Sequence, residues 1–380
     1  MNKKTIGIIT MHKVLNYGSV FQAYALQKYL ETHGFDNDLI DYLYPNEYNK
    51  QFHKQSSLLS KLKNKILEIV LGNPRKRKSK RFENFYETHF KLSPEQYNSK
   101  KSIHENPPQY DVYITGSDQV WNTKYIGDDT SFLLSFAPEE QMKISYASSF
   151  ASSSVDDKYK ELYKKYLAQY NHLSVREKEG VQILKNAMGL DGQLVLDPTF
   201  LLKSQDWNIL ANKSELPLPK SYILVYVLDY AYNPYPYVTN LIKAIQIEMN
   251  MEVVVLDMVE TQLVGAKHIL RIRDAGPYDF LKLFRDATFV VTTSFHGIAF
   301  SLNYSKPFYA VLNDENTGDN RMFNILKLVG AEDRALVKNS PFPSFSDMSM
   351  DYTVIQKNMD LLREQSSDFL LKSLTDSDRK

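Results

Sequence analysis

The sequence predicts an α/β protein of two Rossmann-like domains facing a cleft, with a C-terminal helix packing across their junction. Three observations carry that reading. Short apolar runs alternate with segments of helical period in two separate blocks of the chain. Residues 222–228 form a continuous apolar run, as a strand covered on both faces requires. Polar or hydroxyl-rich turns follow several runs, at the sheet edge where open α/β folds bind ligands.

The first block opens with an apolar run at residues 6–11 and a loop at 12–17. A helix follows from Gly18, with Val20, Ala23, Leu26 and Leu30 at helical spacing and Gly34 as its stop. Further strands are predicted at 37–42, 111–115, 143–148, 173–175 and 194–196, and helices at 156–170 and 177–187. The second block begins near Pro217. Its strands fall at 222–228, 252–256, 289–292 and 308–312, and its helices at 237–248, 278–286, 295–303 and 321–329. A last helical stretch spans 352–374. The expected domains are therefore 1–204 and 205–350, with 351–380 crossing back.

Residues 45–108 interrupt the first block as a helical, basic insertion. Leu58, Leu59, Leu62, Ile66, Leu67, Ile69 and Val70 make an apolar helical set, mixed with Lys61, Lys63 and Lys65. Six positive charges then fall within the eight residues from Pro74 to Arg81. A basic amphipathic segment can lie on an anionic membrane surface, which suggests peripheral contact at the inner face of the membrane. The alternative is a solvated insertion with one face on the core.

Composition narrows the function classes. The chain of 380 residues carries 46 Lys and Arg against 45 Asp and Glu, a net charge of +1, which argues against nucleic acid as the main partner. The absence of cysteine excludes disulfides, thiolate metal sites and Cys nucleophiles. No secretory signal opens the chain and no apolar run reaches a membrane span, so a cytoplasmic location is expected. Aromatic residues reach 13%, with 26 Tyr and 20 Phe, suited equally to cores and to stacking on sugars.

The sharpest motif runs from Val291 through Thr292, Thr293, Ser294, Phe295, His296 and Gly297. A strand ends in three hydroxyl residues and a helix begins, with Thr293 or Ser294 as N-cap. His296 then stands in the first helical turn, at the carboxyl edge of a parallel sheet, where the helix start favours an anion such as phosphate. A second turn, Gly116-Ser117-Asp118-Gln119-Val120-Trp121-Asn122, offers a carboxylate at a strand end. Asp118 suits acid–base work or hydroxyl binding, and Trp121 suits stacking on a sugar. An Asx-type turn with Trp121 in the core is the competing interpretation. At a third strand end, Arg176 can hold a carboxylate or phosphate bidentately, or pair with Glu177 or Glu179. In the first strand–helix turn, Asn16, Gly18 and Ser19 can meet a polar ligand across the cleft. That turn lacks Gly-x-Gly-x-x-Gly, which disfavours a dinucleotide. No Walker, His-Glu-x-x-His or Gly-x-Ser-x-Gly pattern occurs, and the eight His lack ligand spacing. Asp36-Asn37-Asp38 reads as a turn rather than a metal site. Neither a metal nor another cofactor is expected.

In order and spacing these motifs resemble the polysaccharide pyruvyl transferase family over nearly the whole chain. The matching segments are Asn16 to Leu26, Gly116 to Asn122, Ser145 to Phe150, Val175-Arg176-Glu177, Asp197-Pro198-Thr199 and Thr293 to Gly297. The resemblance implies a GT-B-like fold and transfer of the pyruvyl group of phosphoenolpyruvate to two hydroxyls of a sugar as a ketal. The acceptor would be a cell-surface polysaccharide or its precursor, and could be lipid-linked. The resemblance also makes His296 essential and places Arg176 on the donor.

Taken with the residues, it gives His296 and Asp118 as catalytic. Arg176, Ser294, Phe295, Gly297 and Arg321 are expected at the donor. Asn16, Tyr17, Gly18, Ser117 and Trp121 are expected at the acceptor. The sequence departs from members that carry Arg two residues before the His, because Ser294 stands there. Arg321 and Lys306 are the candidate replacements for that charge. A GT-B-like glycosyltransferase using a nucleotide-sugar, and a non-catalytic saccharide-binding protein, are the alternative functions.

Overall fold

A computed structural model describes residues 4–43, 73–257, 267–313, 321–345 and 348–376. The apolar helical set expected at residues 58–70 lies outside the described residues. The first unit contains β1 (Thr5–Ile9), α1 (Tyr17–Thr32), β2 (Asp36–Tyr42), α2 (Pro74–His89) and β3 (Leu92–Tyr97). It continues through α3 (Lys100–Glu105), β4 (Val112–Thr115), α4 (Thr123–Ile126), β5 (Met142–Ser145) and α5 (Asp157–Leu167). Its strands run parallel in the order β3-β2-β1-β4-β5, and β1, buried from Ile6 to Ile9, lies at the centre. A short parallel pair, β6 (Ser174–Val175) and β7 (Gln193–Leu194), flanks α6 (Lys178–Gln182), which runs into a π-helical turn at Ile183–Met188.

After α7 (Ser204–Ala211) comes a six-stranded parallel sheet in the order β10-β9-β8-β11-β12-β13. Its elements are β8 (Tyr222–Tyr226), α8 (Tyr237–Met249), β9 (Glu252–Leu256), β10 (Ile269–Ile272), α9 (Pro277–Asp286) and β11 (Phe289–Thr292). Then follow α10 (Phe295–Asn303), β12 (Phe308–Leu312), α11 (Arg321–Val329) and β13 (Ala335–Val337). Strands β8, β9, β11 and β12 lie within the apolar runs that predict them. The strands missed from sequence, β3, β10 and β13, all end a sheet. An edge strand pairs on one side only, so β3 tolerates Pro94 and two exposed polar residues, Glu95 and Gln96, that hide it from pattern reading. Asp36-Asn37-Asp38 is a correction in the other direction. These residues pair in register with Thr5, Ile6 and Gly7 as strand, not turn.

Helix α12 (Tyr352–Thr375) crosses the junction as expected. Near its start, Tyr352 Oη donates to Lys306 O at 2.6 Å and Asn358 Nδ2 to Val329 O at 3.1 Å, both in the second unit. Near its end, Ser366 Oγ accepts from Leu196 N at 2.9 Å and Ser367 bonds the Tyr29 hydroxyl, both in the first.

Two further layers close the junction. One is aromatic: Tyr17 stacks on Phe280 at 4.6 Å, and Phe21, Trp207 and Phe300 meet within 5.4 Å. The other is α2, which carries the basic run. Asn73 caps it, Pro74 occupies its first turn, and Phe82, Phe85 and Tyr86 form its buried face. Arg77 pairs with Asp274 at 2.6 Å, Lys78 with Asp257 at 2.5 Å, and Arg81 with Asp279 at 2.8 Å. The run is therefore a strap onto the second unit rather than a purely solvated face. Partly exposed ion pairs contribute about 0–1 kcal/mol each, whereas each buried Phe contributes about 1.5–3 kcal/mol. The aromatic layer accordingly contributes more to the strength of the junction than the ion pairs do.

Candidate active site

A cleft of 430 Å³ opens between the units at the carboxyl edges of both sheets. From the first unit it is lined by Asn16, Asp118, Gln119, Asn122, Lys124 and Arg176. The second contributes Tyr230, Tyr232, Ser294, Phe295, His296 and Arg321.

His296 occupies the first turn of α10. Ser294 stands at the N-cap position, but its hydroxyl makes no capping bond. Thr292 Oγ1 accepts from Ser294 N at 3.0 Å instead. The first-turn N–H groups thus remain available to an anion in the cleft. The imidazole is held by the opposite unit. A Cβ on Gly18 would lie 2.0 Å from His296 Nδ1, so only glycine lets α1 approach the ring. On the other side, Nε2 faces Asp197 Oδ2 at 3.8 Å, beyond hydrogen-bonding reach, and is buried without a partner among the described residues.

Asp197 is the hub of a buried polar cluster. Its Oδ2 accepts from Arg176 Nη1 at 2.7 Å and Ser117 Oγ at 3.0 Å, and its Oδ1 from Thr199 N and Oγ1 at 3.0 and 2.7 Å. Burial alone would raise its carboxyl. The facing His296, the Arg176 charge and the Thr199 N–H outweigh burial and hold it well below the usual carboxylate range. Arg176 also donates from Nε to Glu177 Oε1 at 3.1 Å, lies 5.0 Å from the Phe295 ring centroid, and brings Nη2 within 3.8 Å of Asp118 Oδ1. Burial pushes the Glu177 carboxyl up despite the opposing charges of Arg176 and Arg321, and its Oε2 has no partner among the described residues.

Asp118 has φ +75°, a left-handed conformation costly for a residue with a Cβ. Bonds from Ser19 Oγ to Oδ2 and from Gln119 N to Oδ1 fix its carboxylate there. Strain of this kind is retained where the surrounding structure has a use for the side-chain direction it imposes.

The polysaccharide pyruvyl transferase family model matches residues 16–315, nearly four-fifths of the chain. The chain belongs to this family. The transferase also resembles the UDP-GlcNAc 2-epimerase of Methanocaldococcus jannaschii, at 12% identity and a TM-score of 0.53, over 98% of this chain and 99% of the other. The same enzyme in complex with UDP-GlcNAc and UDP aligns at 13% identity and a TM-score of 0.51, again over 98% and 99%. These likenesses show the two-domain, GT-B-like fold. No curated protein matches the sequence.

Within the transferase, the structure brings His296, Asp118, Arg176, Ser294, Phe295, Arg321 and Asn16 to one cleft. Five expected residues do not line it. Trp121 is fully buried and its indole N–H donates to Phe132 O at 3.1 Å, so it offers no face to a sugar. Tyr17 is buried in the aromatic layer with its hydroxyl on Ala275 O at 2.9 Å. Ser117 is buried behind Asp197. Gly18 and Gly297 serve close packing, since a Cβ on Gly297 would lie 2.1 Å from Thr292 Oγ1. Lys306 follows the far end of α10, away from the cleft. Tyr230, Tyr232, Lys124, Gln119 and Asn122 were not singled out from sequence as cleft residues. Nor was Asp197 as the carboxylate facing His296. Its one sequence signal is the Asp-Pro-Thr string that caps a single turn at Pro198–Phe200.

Proposed function

We propose that the donor is phosphoenolpyruvate and that its pyruvyl unit is transferred as a ketal to a saccharide of a cell-surface polysaccharide or its precursor. The supporting observation is the uncapped start of α10 beside His296, with Arg176 and Arg321 on the same cleft. In this reading the first-turn N–H groups and Arg321 hold phosphate, Arg321 supplying the charge absent at Ser294. Arg176 reaches the donor carboxylate through Nη2, because Nε and Nη1 already hold Glu177 and Asp197. Phe295 packs on the Arg176 guanidinium and keeps it in place.

Ketal formation joins two sugar oxygens to donor C2 and breaks the C2–O bond to phosphate. C3 takes one proton, the two hydroxyls give up two, and the balance leaves with phosphate. His296 takes a hydroxyl proton as general base and Asp118 handles the proton at C3. The acceptor lies on the first unit against Asn16, Gln119 and Asn122, with Tyr230 and Tyr232 as the stacking surfaces in place of Tyr17 and Trp121.

The decisive assay is phosphate release from phosphoenolpyruvate over a saccharide panel, with His296→Ala as control. Turnover by wild type and none by the variant supports the assignment; equal turnover by both defeats it. The likeness to a UDP-GlcNAc-binding enzyme makes a nucleotide-sugar the second ligand class to test, by comparing thermal shifts with UDP-GlcNAc and phosphoenolpyruvate. The reading extends to a cytoplasmic enzyme working on a lipid-linked acceptor at the inner membrane face. Liposome flotation that shows no dependence on anionic lipid would remove the membrane contact.

A further inference from the structure

We propose that Asp197 is a positioning residue for His296, holding the ring proton on Nε2 so that Nδ1 is the nitrogen presented to the substrate. The argument starts from the buried face of the ring. Nε2 is enclosed, has no hydrogen-bond partner among the described residues, and has the Asp197 carboxylate as its neighbour at 3.8 Å. A buried ring nitrogen facing a carboxylate oxygen is favoured as N–H and disfavoured as a lone pair, since two acceptors repel. The carboxylate is itself fixed. Thr199 holds Oδ1, while Arg176 and Ser117 hold Oδ2, so it cannot turn away from the ring. Slight closure of the two units would shorten 3.8 Å to a hydrogen bond.

The consequence is directional. With its proton on Nε2, the ring has its lone pair on Nδ1, which flanks Gly18 at the start of α1 but, unlike Nε2, is not enclosed. A sugar hydroxyl would give its proton to Nδ1 as its oxygen bonds donor C2. The imidazolium formed would be balanced by Asp197, which keeps its own charge throughout. His296 comes from the second unit, and both residues that confine it, Gly18 and Asp197, come from the first. The base is therefore assembled only with the units in this relative placement.

The test uses 15N-histidine NMR on the full chain near about pH 9, above the ordinary histidine range. His296→Gln assigns the resonances. Wild type is expected to show the Nε2–H tautomer. In Asp197→Asn, Thr199 still claims Oδ1, so the amide NH2 replaces Oδ2 and offers a donor to Nε2. The tautomer should then become mixed or reverse. A wild-type ring protonated on Nδ1 overturns the proposal and needs no Asp197 variant. An unchanged tautomer ratio in a folded Asp197→Asn overturns it as well.

Only the kinetic arm rests on the pyruvyl transfer reading. There, kcat for phosphate release should fall at least about 100-fold in Asp197→Asn, with KM for phosphoenolpyruvate little changed. Wild-type kcat in the variant refutes the positioning role while leaving the reaction intact. An inactive wild type with the expected tautomers refutes the reaction and leaves the positioning role standing.

Discussion

Replacing Gly18 with alanine adds one methyl group at the place where the two units meet over the imidazole. That carbon would lie 2.0 Å from His296 Nδ1, 2.3 Å from Cε1 and 2.5 Å from Cγ. Carbon contacts settle at about 3.5–4 Å, so the ring must withdraw by roughly 1 Å or more. A retreat of about 1 Å on the Nε2 side would bring the ring to hydrogen-bond length from Asp197, now at 3.8 Å, and any further movement meets its fixed network. Either α10 shifts away from α1 or the ring rotates off its line. Overpacking of this kind costs about 1–3 kcal/mol, offset by up to about 1 kcal/mol from the helix preference of alanine. The net loss of about 0–3 kcal/mol is below the usual stability of a folded domain, about 5–15 kcal/mol, and leaves the protein folded. Misplacing a reacting group by about 1 Å can cost about 100-fold in rate. Gly18→Ala should therefore lower kcat for phosphate release far more than it lowers Tm. A kcat within about 3-fold of wild type, at unchanged Tm, would refute the claim that this contact sets the ring position.

Other outcomes separate binding from structure. Arg321→Ala should raise KM for phosphoenolpyruvate about 10-fold or more, the loss of one charge-assisted contact, and Lys306→Ala should leave it unchanged. Trp121→Ala should cost about 3–5 kcal/mol in urea unfolding, whereas Trp121→Phe should keep the acceptor KM. Asp41, buried on β2, is opposed by desolvation but held well below the usual carboxylate range by bonds from His12, Lys13 and Gln96. A depressed carboxyl contributes stability above its ordinary value near about 4, and that stability is lost as pH falls through the folded value. Tm should therefore fall more steeply between about pH 4 and pH 2 in wild type than in Asp41→Asn.

The interior strands β1, β4, β8, β9, β11 and β12 were legible because they are covered on both faces and are mostly apolar. The sheet ends were not, because an edge strand such as β3 satisfies its backbone from one side and can carry Pro94. The candidate cleft was legible at His296, Asp118 and Arg176, where parallel strands stop and the fold brings polar turns together. Side-chain direction was not. Trp121 follows Asp118 by three residues, yet the left-handed backbone at Asp118 sends the two to opposite sides of the turn, one to the cleft and one to the core. Long-range partners were equally hidden. Nothing near Asp197 announces His296, 99 residues on. The basic run of α2 looked solvated because its aspartates lie at positions 257, 274 and 279.

That strap has a bearing on how such a protein can be recombined. Helix α2 is encoded with the first half of the chain, but the aspartates that receive it are encoded with the second. A hybrid joined near residue 205, drawing its halves from two relatives, would bring together a cationic helix and a docking face that had never been matched. Charge reversal at Asp274 or Asp279 in the incoming half would place like charges together at the seam and splay the cleft above it. Exchanging residues 73–89 along with the second half restores the fit, so the natural unit of exchange is not contiguous in sequence.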